Sequence, residues 1–205
     1  MNRAVLIRRI LVYAIYIFLF ACIQVSFPHF MSFHGQVADL MLVFTALAGY
    51  FYGFYDGIVV GIAVGVLRDY FAGPSINGLD GQPTPTMGIG LLVMFLTGAL
   101  AASFFTERMR RNVPFAFASV AFCTLVYKSA GHILIRLWTI LIFKQPYNLT
   151  ILDVLLDSIL PQILLNVIAA LPIIILLRFA GPYRKGINPT LAAKGDTEDG
   201  LWLVI

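Results

Sequence analysis

Six long apolar runs occupy most of this 205-residue chain and constrain its fold more than any other feature. A helix needs about 20 residues to cross the hydrocarbon core of a bilayer. Because lipid cannot satisfy the hydrogen bonds of an exposed backbone, each apolar run should form a helix. The sequence therefore predicts an all-α, polytopic membrane protein, a six-transmembrane-helix bundle with spans at about 9–28, 37–52, 55–72, 87–105, 114–142 and 151–178.

The composition excludes a soluble globular domain, since 60% of the residues are hydrophobic, 12% are charged and the mean hydropathy is +0.90. The first span follows a cluster of arginines and has no small-residue cleavage site, which predicts a retained signal anchor. Residues 1–180 are predicted to form one transmembrane domain. The chain from Gly186 onward, "GINPTLAAKGDTEDG", is polar and rich in helix breakers, so we expect residues 181–205 to form a disordered cytoplasmic tail.

The distribution of Lys and Arg predicts the orientation of the bundle. With the N-terminus inside, only Arg68 and Lys144 lie on the outer side, while Lys128 and Arg136 fall within the fifth span. Both termini are then cytoplasmic (N-in/C-in). The ten cations on the cytoplasmic side are Arg3, Arg8, Arg9, Arg108, Arg110, Arg111, Arg178, Arg184, Lys185 and Lys194.

The third span contains glycines at a spacing of four, Gly57, Gly61 and Gly65, and the same spacing leads on to Asp69. Small residues four apart allow two membrane helices to approach closely. This ridge is interpreted as packing inside the bundle, as a docking face for another protein's helix, or as a wall of a ligand cavity. Arg68 and Asp69 point about 100° apart and should have separate partners. Asp56 is predicted to lie in the turn before the third span.

The fifth span has three potential cations on one face, Lys128, His132 and Arg136, again four residues apart. Charges at this depth should face the bundle interior or water. In an antiparallel hairpin, Arg136 lies at the depth of Asp157, which predicts an ion pair between them. That pair is interpreted as a structural contact, a ligand or proton site, or a partner contact. The predicted intramembrane polar network comprises Lys128, His132, Arg136, Asp153, Asp157 and Asn166, and Pro161 is expected to kink the sixth span.

No set of residues has the spacing of a catalytic, metal or nucleotide site. The three histidines lie far apart, and neither C-x-x-C nor H-E-x-x-H occurs. The sequence therefore predicts a protein that is not an enzyme and that needs no cofactor or metal. The longest connection, residues 73–86, is rich in glycine and proline, which predicts irregular backbone in a simple connection or in a lid.

The glycine pattern, preceded by "VADLMLVFTALAGYFYG" and followed later by "ILPQILLNVIAALPIIIL", resembles the bacterial rod shape-determining protein MreD family. The matching polar positions are Asp39, Asp69 and Asn166, and the resemblance covers most of residues 1–180. It implies a non-catalytic scaffold in the bacterial inner membrane that helps to maintain rod shape. The implied partners are MreC, the RodA and class B penicillin-binding protein pair and, indirectly, the actin-like MreB.

The MreD family is also similar in fold to the substrate-binding components of energy-coupling factor transporters, which implies an alternative function. Such a component would need a polar, largely preformed pocket for a small molecule. The cations of the fifth span, Asp153, Asp157 and the long outer loop could line one. A scaffold should copurify with a single-span partner, whereas a transporter component should bind a small molecule without partners.

Overall fold

Helices make up most of the described part of the protein. The computed structural model describes residues 3–26, 32–33, 35–72, 75–77, 83–85, 88–104, 112–142 and 154–183. These contain six α-helices, α1 (Arg3–Ser26), α2 (Leu40–Tyr52), α3 (Phe54–Ala72), α4 (Ile89–Phe104), α5 (Val113–Ile142) and α6 (Leu160–Ala180), with a π-helical segment, Val154–Ile159, directly before α6. The prediction of a mostly helical protein is confirmed.

Three helices among the described residues are long and apolar enough to cross a membrane, judged by length and composition. They span Arg3–Ser26, Val113–Leu137 and Leu155–Ala180, and they indicate a membrane protein. Leu40–Tyr52 and Ile89–Ser103 are shorter apolar helices. Six crossings and the N-in/C-in orientation remain predictions.

The central helix of the bundle is α2, in which every residue from Leu42 to Tyr52 is buried. It has no charged side chain, and a helix that is apolar on all sides is typical of a buried core or of a membrane span. The Asp39 Oδ1 atom accepts a hydrogen bond from the Leu42 amide at 3.1 Å and so caps the first turn. Gly53 ends α2 with φ 95°, a conformation that favours glycine and lets α3 begin at the next residue.

The start of α6 differs from the predicted kinked sixth span. Pro161 lies in the first turn of α6, where its missing amide hydrogen removes no hydrogen bond within the α-helix. The residues before it form the π-helical segment rather than another stretch of α-helix. Pro172 is the proline inside α6. The predicted role of Pro161 as an internal kink is therefore wrong.

Two short antiparallel hairpins lie between helices. In the first, β1 (Ser32–Phe33) pairs with β2 (Gln36–Val37), so that Phe33 lies opposite Gln36. In the second, β3 (Ser75–Asn77) pairs with β4 (Pro83–Pro85). The second hairpin lies within residues 73–86, where the sequence predicts irregular backbone, so this part of that connection is more regular than expected.

Candidate functional site

The predicted glycine ridge forms the contact between α3 and α4, which we call the glycine seam: Gly57, Gly61 and Gly65. All three glycines are buried. A Cβ atom added at Gly61 would lie 2.5 Å from the Met94 carbonyl oxygen, and one at Gly65 would lie 2.5 Å from the Leu91 Cα atom. The two backbones therefore touch, which is the geometry of the first interpretation, packing inside the bundle.

At one end of the seam three helices meet. A Cβ atom added at Gly57 would lie 2.5 Å from the Gly98 carbonyl oxygen and 2.7 Å from the Gly49 Cα atom. These glycines belong to α3, α4 and α2, so their backbones approach one another at a single point. A helix of another protein would have to displace α4 to reach the seam.

Asp69 ends the same stripe of α3 and caps α4. Its Oδ1 atom accepts a hydrogen bond from the Gly90 amide at 2.8 Å. Its Oδ2 atom accepts from the Gly88 amide at 2.9 Å and from the Leu91 amide at 3.0 Å. These amides lack partners within the helix, and the carboxylate also interacts favourably with the positive end of the helix dipole. The glycines bring α3 onto α4, and Asp69, one turn beyond Gly65, is then close enough to bind the first turn of α4.

Arg68 has a different set of partners from Asp69, in keeping with their separation on the helix. It forms an ion pair with Asp39, and its guanidinium lies 4.9 Å from the centre of the Tyr127 ring. The Asp39 amide in turn donates to the Asn166 Oδ1 atom at 2.7 Å. Asp39 thus links the start of α2 with α3 and α6.

Asn166 is fully buried, and its side chain joins α6 to α5 and to the start of α2. Its Nδ2 atom donates to the Thr124 Oγ1 atom at 3.0 Å. The Gln162 Nε2 atom donates to the Asn166 Oδ1 atom at 3.2 Å and to the Val37 carbonyl at 2.6 Å. Buried polar groups stabilise a unique packing when they are hydrogen-bonded in this way. Gln162 and Thr124 are part of this network, although the sequence analysis did not select them.

The cationic stripe of α5 is divided between two environments. Lys128 donates to the Gln36 Oε1 atom at 3.1 Å, and its side chain is partly buried. Arg136 and Asp157 are both exposed. The ion pairs among the described residues join Arg9 to Asp56 and Arg68 to Asp39, so the predicted Arg136–Asp157 pair is not among them.

Arg136 and Asp157 would lie at the same depth only if both belonged to regular α-helices. Asp157 lies instead in the π-helical segment, whose larger turn changes both the rise and the direction of the side chains. Asp153, the other carboxylate of the predicted network, lies outside the described residues. The position of Asp157 therefore could not be obtained from α-helical spacing.

A cavity of about 380 Å³ lies beside α5, next to the end of α3, the start of α4 and the π-helical segment. Its basic lining residues are Arg68, Lys128 and His132, and none of the described residues that line it is a carboxylate. Lys128 and His132 come from the predicted stripe, while Arg136, the next member, is not part of the lining. The complete lining is Gln36, Arg68, Ile89, Gly90, Val93, Tyr127, Lys128, Gly131, His132, Ile135 and Ser158.

Asp56 forms a second polar cluster near the start of α3. Its side chain is 1% exposed and lies 2.7 Å from the Arg9 Nε atom. The hydroxyl groups of Tyr13 and Tyr183 donate to its two oxygens at 2.5 and 2.9 Å. Asp56 lies in the first turn of α3, so its prediction as a residue of the preceding turn is wrong. Burial, and then the neighbouring carboxylate, raises the pKa of Tyr183, which keeps its hydroxyl protonated as a donor.

The same end of the bundle also ties α1 to the last turn of α6. The Tyr16 hydroxyl donates to the carbonyls of Leu176 and Ala180, each at 3.2 Å. Arg8 donates to the Gly181 carbonyl at 3.3 Å. The last carbonyls of a helix lack partners within it, and Tyr16 supplies a donor to that of Ala180.

The described residues contain no group of three or more His, Cys, Asp and Glu side chains that could hold a metal ion. Comparison with protein-family models, with curated proteins and with solved structures gave no match.

Proposed function

We propose that this chain is a non-catalytic, multi-pass scaffold of the bacterial inner membrane, of the MreD type. In this role it associates with MreC and, through that complex, with the peptidoglycan synthase formed by RodA and a class B penicillin-binding protein. The resemblance in sequence supplies the family and its partners. The contacts of the residues that carry the resemblance supply the physical support.

The observation that carries this proposal is that these residues hold helices together. The glycine seam packs α3 on α4, and Asp69 caps α4. Asp39 caps α2 and binds Arg68, while Asn166 binds the Asp39 amide. Carboxylates engaged in this way are not positioned as general acids or bases for a substrate. A rigid helical platform is what a scaffold requires.

The alternative, a small-molecule-binding component of an energy-coupling-factor-type transporter, is favoured by one observation, the cavity. Its volume of about 380 Å³ falls in the range of about 300 to 1,000 Å³ that is common for small-molecule sites. Its lining combines ionisable and apolar side chains. The two functions differ in what should remain bound to the purified protein.

Affinity purification of the tagged full-length chain from the membranes of its native bacterium tests the proposal. We expect a single-span protein of the MreC type to copurify, and depletion of the chain to convert rod-shaped cells into round ones. The chain without its tag, carried through the same purification, is the control. Recovery of a stoichiometric small molecule without any single-span protein, from cells that keep their shape on depletion, would contradict the scaffold and favour the transporter component.

A further inference from the structure

The cavity contains one positive charge that has no carboxylate partner in the described part of the chain. Arg68 is paired with Asp39. The ion pairs between described residues are Arg68–Asp39 and Arg9–Asp56, and neither includes Lys128. The hydrogen-bond acceptor of Lys128 is the Gln36 amide oxygen, which carries no net charge. His132 lies one turn further along the same face of α5.

An ammonium group in this position needs a counter-charge. Lys128 lies inside the long apolar helix α5 and is partly buried. A charge at depth in a membrane protein typically faces a partner or a water-filled cavity and often marks a ligand site. None of the described residues that line the cavity is a carboxylate. A bound anion could take the place of a carboxylate and offset the charge of Lys128.

The lining suits a phosphate group in particular. A guanidinium presents several N–H donors in a plane, and the geometry of Arg matches phosphate oxygens. Arg68 is held in place on one side by Asp39 and on another by the Tyr127 ring, so its orientation is fixed before a ligand binds. The apolar residues Ile89, Val93 and Ile135 line the same space and could contact the organic group that carries the phosphate.

We propose that this cavity binds a phosphate anion, carried either by the headgroup of a membrane lipid or by a soluble phosphate monoester. Lys128 supplies a charge that forms no ion pair with the described carboxylates, Arg68 supplies oriented donors, and His132 supplies a further donor. This proposal is independent of the scaffold proposal. Its test measures binding of a ligand to the purified chain, whereas the test of the scaffold measures copurification of a partner.

Two probes applied to the purified full-length protein in an uncharged detergent distinguish the two sources. Glycerol 3-phosphate represents the soluble monoester, and phosphatidylglycerol in mixed micelles represents the lipid. Sodium chloride at equal ionic strength and diacylglycerol, which lacks the phosphate, are the respective comparators. We expect at least one phosphate probe to raise the melting temperature above its comparator and to remain bound in native mass spectrometry.

Two variants with a matched control locate the binding. Lys128→Gln should weaken binding of the active probe about tenfold or more, because a charge-assisted hydrogen bond is lost. Arg136→Gln removes the same charge two turns along the stripe, outside the lining, and should bind as the wild type does. Gly131→Leu should abolish binding by filling the cavity, since a Cβ atom there meets no atom within 4 Å and every cation is kept.

The proposal is overturned if neither phosphate probe exceeds its comparator with the wild-type protein. Equal weakening by Lys128→Gln and Arg136→Gln would overturn it too, because binding would then reflect overall charge. If Lys128→Gln does not fold, Gly131→Leu decides the question: unchanged binding by that folded variant would rule out the cavity as the site.

Discussion

Asp69 is a charged side chain at a helix end whose hydrogen-bond partners are backbone amides. Three amide groups at the start of α4 donate to its two oxygens. Gly90 is necessary for this contact, since a Cβ atom there would overlap with the carboxylate. Gly57, Gly61, Gly65 and Asp69, all four residues apart, therefore share one role along α3, which is to hold α4 against it.

The glycine seam leads to a prediction about Gly61. Gly61→Ala places a methyl group 2.5 Å from the Met94 carbonyl oxygen, so one of the two backbones has to move. Overpacking of this kind typically costs about 1 to 3 kcal/mol. We expect the melting temperature of the purified protein in detergent to fall, with a lower yield of folded protein.

Gly131→Ala is the matched control for that change, because it adds the same methyl group within a helix. A Cβ atom at Gly131 meets nothing within 4 Å, and alanine is favoured over glycine inside a helix by about 0.5 to 1 kcal/mol. Gly131→Ala should therefore leave the melting temperature unchanged or raise it. Equal losses in the two variants would show that the seam is not a specially tight contact.

Among the elements, α1 depends most visibly on polar contacts at one end. Its buried tyrosines, Tyr13 and Tyr16, both donate hydrogen bonds to groups outside α1. Arg9 contributes the ion pair with Asp56. These contacts join α1 to the start of α3 and to the end of α6.

A double-mutant cycle with Arg9→Gln and Asp56→Asn tests the importance of this junction. Removing one member of a buried ion pair typically costs about 3 to 5 kcal/mol, because the remaining charge is left without compensation. We expect each single variant to lower the melting temperature in detergent. The double variant should be less destabilised than the sum of the two, because each change removes part of the same interaction.

The same cycle with Arg136→Gln and Asp157→Asn is the control. They do not form an ion pair with each other in the described structure, so the effects of the two changes should be additive. Coupling between Arg136 and Asp157, together with additive effects at Arg9 and Asp56, would contradict the assignment of the ion pairs.

Contacts set by local spacing were the ones that the sequence could predict. The apolar runs indicated the helices, and the spacing of four placed Gly57, Gly61 and Gly65 on one face and Lys128 with His132 on another. Pairs across helices were not accessible, because Arg9 and Asp56, or Asp39 and Arg68, become neighbours only when the helices pack. The pairing of Arg136 with Asp157 failed where the π-helical segment departs from α-helical spacing.

The cavity combines a predictable part with an unpredictable one. The stripe of α5 supplied Lys128 and His132, whose common face follows from their spacing. Arg68 comes from α3, and its position beside the stripe depends on the crossing of α3 with its neighbours. For Arg68, the sequence predicted only that its partner should differ from that of Asp69, and it did not place Arg68 beside Lys128.

At the scale of the whole molecule, the predicted orientation can be measured directly. After Cys22 and Cys123 are replaced by alanine, single cysteines are introduced at Ser75 and at Thr190. The excess of cations on one side predicts that Ser75 faces outward and Thr190 faces the cytoplasm. An impermeant thiol reagent added to intact cells should label the first and not the second.

Membrane disruption before labelling is the control, since both cysteines should then react. Labelling of Thr190 in intact cells, with Ser75 protected, would reverse the orientation. Labelling of both positions in intact cells would place the two on the same outer side and contradict the three crossings that are predicted between them.

The three charges of α3 bear on how the chain enters the membrane during synthesis. With Asp56, Arg68 and Asp69, α3 is not among the described helices that are long and apolar enough to cross a membrane, judged by length and composition. Arg68 meets its partner at the start of α2, already synthesised, but Asp69 has to wait for the first turn of α4. If α3 and α4 both cross the membrane, as the sequence predicts, we therefore expect α3 to be retained by the insertion machinery until α4 emerges, so that the two helices pass into lipid together as a hairpin.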